Sequence, residues 1–200
     1  MNPGKRLFCL AVALFCALTV QAAGDEWLVR LRQAVRALGD YEVQFDLTTT
    51  DGYAAAGSYR VSGTQYAIAM PGVRVFCDGS ARYEVNDSTQ EVVIDAVNSG
   101  SNNLLDNPVQ AFDFVAEQYA VQPVTERPDR ITLRLTPRAN GTVATIVLTL
   151  DRQSALPVAV TYGAEDMQIE VKINSFKKSA TPFPAFRRTD FPGYEWIDFR

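Results

Sequence analysis

YEVQFDLTTTDGYAAAGSYRVSGTQYAIAMPGVRVFCDGSARYEVND, residues 41–87, decides the fold. Val43, Phe45 and Leu47 alternate with Glu42, Gln44 and Asp46. Tyr59 and Val61 alternate with Ser58, Arg60 and Ser62, and Tyr66, Ile68 and Met70 alternate with Gln65, Ala67 and Ala69. A period of two puts the apolar members of each set on one face of a strand. Asp51-Gly52, Pro71-Gly72, Asp78-Gly79 and Asn86-Asp87 punctuate these runs with the residues that tight turns require. Short strands at roughly ten-residue spacing predict an antiparallel meander.

The pattern extends in both directions. Val73 to Cys77, Tyr83 with Val85, and Glu91 to Asp95 are further strands. Beyond them Ile131, Leu133 and Leu135 share one face, as do Ala144, Ile146, Leu148 and Leu150, then Val158, Val160 and Tyr162, then Met167, Ile169, Val171 and Ile173. Two segments carry helical spacing instead. Leu28, Leu31, Val35 and Leu38 recur at intervals of three and four between Trp27 and Gly39. Val109, Phe112, Val115, Ala116 and Tyr119 do so after Asn107-Pro108, which predicts a helix from Pro108 to about Gln118. Asn98 to Asn103 has the composition of a surface loop. There is no linker or internal repeat. The sequence therefore predicts one mainly β (α+β) domain of ten or eleven strands with two helices.

The first 22 residues stand apart. Lys5 and Arg6 precede an apolar run from Leu7 to Val20, too short to span a bilayer, and Val20-Gln21-Ala22 offers small residues for cleavage. A secretory leader cut after Ala22 is the expectation, with an N-terminal anchor as the alternative. Residues 23–200 then form the exported domain. Cys9 and Cys16 go with the leader, and Cys77, inside an apolar strand, reads as a buried thiol.

Composition excludes much chemistry. The chain of 200 residues holds no histidine, which removes histidine-dependent hydrolases and most zinc sites. Its net charge of −4 and scattered arginines offer no stripe for nucleic acid. Carboxylate pairs such as Asp46 with Glu84, or Glu91 with Asp95, occupy polar positions of amphipathic strands and read as solvent faces rather than a glycosidase site. Asp87, Asp106, Asn107 and Asp151 match no calcium loop. No enzyme, metal or cofactor is expected.

Hydrophobic surface remains. Leu31, Val35 and Leu38 on the first helix, Phe112, Val115 and Tyr119 on the second, and Phe45, Leu47, Tyr66, Ile68 and Met70 on the strands either close into a solid core or line an apolar cavity inside a curled sheet.

The order of these features resembles the periplasmic lipoprotein carriers, the LolA-like proteins. The residues concerned are the leader, the helix ending before Tyr41 to Leu47, Gly57-Ser58-Tyr59-Arg60-Val61, Val75-Phe76-Cys77-Asp78-Gly79 with Tyr83, the Asn107-Pro108 helix, and the ending Asp190 to Arg200 with Pro192-Gly193 before a strand and Asp198-Phe199-Arg200. The resemblance implies an unclosed antiparallel barrel lidded by helices over an apolar cavity. It also implies a monomeric periplasmic carrier that binds acyl chains of lipoproteins, or other lipids, and moves them between membrane-bound donor and acceptor proteins towards the outer membrane. A non-enzymatic envelope sensor that binds lipid or lipoprotein and a membrane partner is the alternative. In such carriers an arginine followed by proline helps hold the lid. The matching Val61-Ser62-Gly63-Thr64 has neither, so that mechanism does not carry over. The Gly100 loop and the Pro108 helix are the expected moving lid, with a fixed helix as the alternative.

Overall fold

A computed structural model describes residues 24–97, 118–138, 145–164 and 167–200. One helix, α1 (24–38), precedes twelve strands. They are β1 (Tyr41–Thr49), β2 (Ala54–Ser62), β3 (Gln65–Met70), β4 (Val73–Cys77), β5 (Ala81–Asn86), β6 (Glu91–Ala96), β7 (Tyr119–Glu126), β8 (Arg130–Pro137), β9 (Thr145–Asp151), β10 (Pro157–Ala164), β11 (Met167–Lys178) and β12 (Glu195–Asp198). They form a single sheet in the order β12-β6-β5-β4-β3-β2-β1-β11-β10-β9-β8-β7. Every neighbouring pair is antiparallel except β12 with β6. β12 and β7 are its two ends, so the sheet does not close.

The meander is as the period and the turn residues dictate. Gly52, Gly63, Gly72 and Gly79 sit at positive φ between successive strands, where a side chain is strained. Two expectations need correction. The sheet has twelve strands rather than ten or eleven, and among the described residues there is one helix, not two. The segment expected to form the second helix and lid, including Val109, Phe112, Val115 and Ala116, lies outside the described residues, as do the leader and the Gly100 loop. Tyr119, which continues the apolar spacing of the helix expected to end at about Gln118, starts strand β7, where Tyr119 and Val121 alternate with Ala120 and Gln122. Pro123 and a bulge at Val124 interrupt that alternation and hide the strand in the sequence.

α1 lies across one face of the sheet. Trp27, Leu28 and Leu31 pack with Tyr119, Val121, Ile131, Leu133, Leu135, Leu148, Leu150 and Val160 from β7 to β10. Val35 and Leu38 pack with Tyr41, Val43, Val61, Tyr66, Ile68, Val75 and Cys77 from β1 to β4. One short helix thus spans both halves of the sheet. Gly39, at φ +66°, ends it, with its N–H donating to the Arg36 carbonyl at 3.2 Å.

A third core lies on the opposite face. The β4–β5 register pairs Cys77 with Arg82 and Val75 with Glu84, so Arg82 and Glu84 share the α1 side of the sheet. Ala81, Tyr83 and Val85 therefore point away from α1, and Val92 and Ile94 do the same. The C-terminal segment covers them. Phe191 is buried there, and Phe186, Tyr194 and Trp196 pack around it. Phe186 stacks on Tyr83 at 4.1 Å and on Phe191 at 5.5 Å.

Candidate functional site

The α1 side of β1–β4 and β11 collects most of the strand residues expected to line a cavity. Facing pairs run Phe45–Gly57, Leu47–Ala55 and Val43–Tyr59 across β1–β2, then Tyr59–Ile68 and Val61–Tyr66 across β2–β3. β11 adds Ile173 beside Phe45 and Val171 beside Leu47. Coverage of this face is uneven. Leu31, Tyr66 and Ile68 are closed off, at 0, 2 and 5% exposure. Val35, Leu38, Phe45, Leu47 and Met70 are only half-buried. The first three of these eight residues are solid core, and the other five form an apolar floor that α1 does not fully cover. Phe112 and Val115, also expected here, lie outside the described residues.

Phe45 has a particular setting. The β1–β11 register shifts between Gln44 and Phe45, leaving Asn174 as the unpaired residue of a bulge. The Asn174 amide donates to Asp46 at 2.9 Å. On the other side, the Phe45 ring lies over Gly57. A Cβ at position 57 would fall 2.6 Å from Phe45 Cε2 and closer still to Cζ, so only glycine allows this pose. On the reverse of the sheet, Gln44, Ala56, Gly57, Ser58, Ala69, Met70 and Pro71 line an open depression of about 340 Å³.

The floor becomes polar at both ends of its chemistry. Tyr41 and Tyr59 meet edge to face at 5.9 Å, and Tyr41 packs on Phe176 at 5.1 Å. Burial pushes the Tyr41 phenol up to about 12, and the neighbouring Tyr59 hydroxyl only partly offsets that. Burial, with Tyr41 and Tyr66 alongside, holds Tyr59 well above the usual phenol range. Both hydroxyls stay neutral. Cys77 is buried as expected, and burial pushes its thiol up, which disfavours the reactive thiolate. Further along, Arg82 bonds Glu84 at 2.8 Å and faces Asp95 at 3.7 Å.

The two carboxylate pairs named from the sequence do not converge. Asp46 and Glu84 lie on opposite faces of the sheet, and Glu91 and Asp95 are four residues apart on β6. Asp78, despite some desolvation, is held at about 2 by bonds from Ser80, Ala81 and Tyr83, and it shapes the β4–β5 turn. Among the described residues no three metal-ligating side chains come together. On α1, Arg30 lies 4.0 Å over Trp27 and donates to the Arg152 carbonyl at 3.4 Å.

Sequence reasoning missed the contribution of β11. The alternation of Ile169, Val171 and Ile173 was visible, but nothing in it says that β11 pairs with β1. It also missed Gly57, whose role appears only once the strands are in register.

This architecture has been seen before. An uncharacterized conserved protein from Thermus thermophilus superposes with a TM-score of 0.57 at 10% identity, covering 88% of this chain and 99% of that one. What is shared is the fold. A LolA superfamily protein from Nitrosomonas europaea is also similar, at 10% identity over 80% of this chain and 94% of its own, with a TM-score of 0.41. So is MucB of Pseudomonas aeruginosa, solved with MucA, at 22% identity and a TM-score of 0.44; the match covers 80% of this chain and 59% of MucB. These likenesses to solved structures, at 10 to 22% identity, concern the fold alone. No family model matches the chain, and no curated protein does.

Proposed function

We propose that this protein is a non-enzymatic periplasmic carrier. It shelters acyl chains of lipoproteins, or of other lipids, on the floor between α1 and the sheet and passes them between membrane-bound donor and acceptor proteins. One observation carries the reading: Val35, Leu38, Phe45 and Met70 belong to one apolar cluster, Leu47 shares the strand face of Phe45, and the described chain leaves all five half-covered. A solid core would close those residues as it closes Leu31 and Tyr66. Apolar surface of this kind is costly in water, and each methylene a ligand buries there is worth about 0.8 kcal/mol. A carrier needs little beyond such apolar surface, and the polar groups beside it are neutral tyrosines and an arginine neutralised by Glu84 and Asp95.

Mass spectrometry of an organic extract of the purified protein tests this, together with transfer of labelled lipid to acceptor vesicles. Bound lipid and transfer are expected from the wild type, and Ile68→Glu, which puts a charge beside the floor, should remove both while the protein is still exported. Binding without transfer would favour a lipid-responsive sensor. A wild type that binds no lipid would defeat the reading.

A further inference from the structure

Three features coincide at Phe45. The bulge opposite it, at Asn174, breaks the β1–β11 register. Gly57 beside it has no side chain, and the Phe45 ring occupies the space a Cβ would take. Behind Gly57 the sheet is backed by an open depression rather than by packed side chains. A bulge re-aims the residues around it, and here the ring is laid flat on the sheet instead of standing towards α1. The half-buried Val35, Leu38 and Met70 belong to the same apolar cluster. Resting on the proposed carrier reading, we infer that the Phe45–Gly57 pair sets the depth of the floor and hence the length of acyl chain it accepts. With glycine at 57 the ring folds down and leaves the space above it to the ligand. With any side chain at 57 the ring must rise into that space. The pair is a length gauge for linear, flexible apolar chains, and neither residue needs to bind the ligand's polar head.

The test is displacement of cis-parinaric acid from the full-length exported protein by decanoate and by palmitate. The wild type should bind palmitate more tightly than decanoate. Gly57→Ala should weaken palmitate about tenfold, the loss of roughly two buried methylenes, and leave decanoate nearly unchanged. Adding Phe45→Ala to Gly57→Ala should restore palmitate. Unchanged affinities for both acids in Gly57→Ala, or equal losses without rescue in the double variant, would overturn the inference. Should Gly57→Ala fail to fold, Phe45→Ala alone decides: it should raise the palmitate-to-decanoate preference, and an unchanged ratio counts against the gauge. A wild type that binds neither acid nor parinarate would instead overturn the carrier reading itself.

Discussion

Tyr41 is the residue on which pH acts most directly. Its phenol is buried in the folded chain and titrates at about 12, whereas in the unfolded chain it titrates near 10. A raised folded value favours the neutral form, so the stability it contributes is full below about pH 10 and is lost as pH rises towards 12. Tyr59 shifts in the same direction. Urea midpoints should therefore fall between about pH 10 and 12, by the equivalent of roughly 2 kcal/mol for Tyr41, and Tyr41→Phe should flatten that fall. Leu31 is fully buried where α1 crosses β7–β10, and Leu31→Ala should lose about 2–5 kcal/mol in the same assay. Cys77→Ala should cost about 1 kcal/mol and leave lipid retention unchanged, and the thiol should react slowly with alkylating reagents in the native protein.

Among the elements, the C-terminal segment has the least regular structure and a large share of the aromatic contacts. Phe186 is sandwiched between Tyr83 and Phe191, with Phe76 at 5.6 Å, and Arg188 lies 4.1 Å over Trp196. Tyr194 donates to Asp87 at 2.9 Å, and Arg74 pairs with the same carboxylate. Phe186→Ala should destabilise the domain by about 1–3 kcal/mol. Hydrogen exchange should quicken in β4–β6 and β12 and stay unchanged in β8–β9; a uniform change across the sheet would show that the segment does not act locally. Strands β1–β6 were legible because strict alternation and glycine turns agree there. β7 was not, because Pro123 and the bulge beside it mask its period. The second face was not legible either. Tyr83 and Val85 look like the continuation of the α1-side core, but the Cys77–Arg82 pairing turns them to the other side, and register is a tertiary fact. Of the candidate site, the sequence identified the apolar residues and left open which are closed core and which are floor. That division depends on where a helix of 24–38 comes to rest.

At the scale of the whole molecule, a ligand that binds only the folded state must raise its stability by mass action. Palmitate at a hundredfold excess over its dissociation constant should add about 2.7 kcal/mol and raise Tm in a dose-dependent way, and Ile68→Glu should abolish that rise. The position of β1 in the strand order has a consequence for how the chain reaches its fold. Within β1–β6 and within β7–β11 the strands pair with their sequence neighbours, but β1 also pairs with β11, where Asn174 meets Asp46 across 128 residues of chain, and β6 also pairs with β12. Two arms of low contact order are thus tied by the β1–β11 seam of very high contact order, and β12 returns to the far edge of the first arm. The β1–β6 meander can form long before the partners of β1 and β6 are available, and those two edges wait unpaired and exposed to association with other chains. Closure of that seam should be the slow step of refolding. Asp46→Ala at the seam should therefore slow refolding more than Thr132→Ala within the second arm, where the β8–β9 pair brings Thr132 and Thr149 to 3.2 Å across only 17 residues.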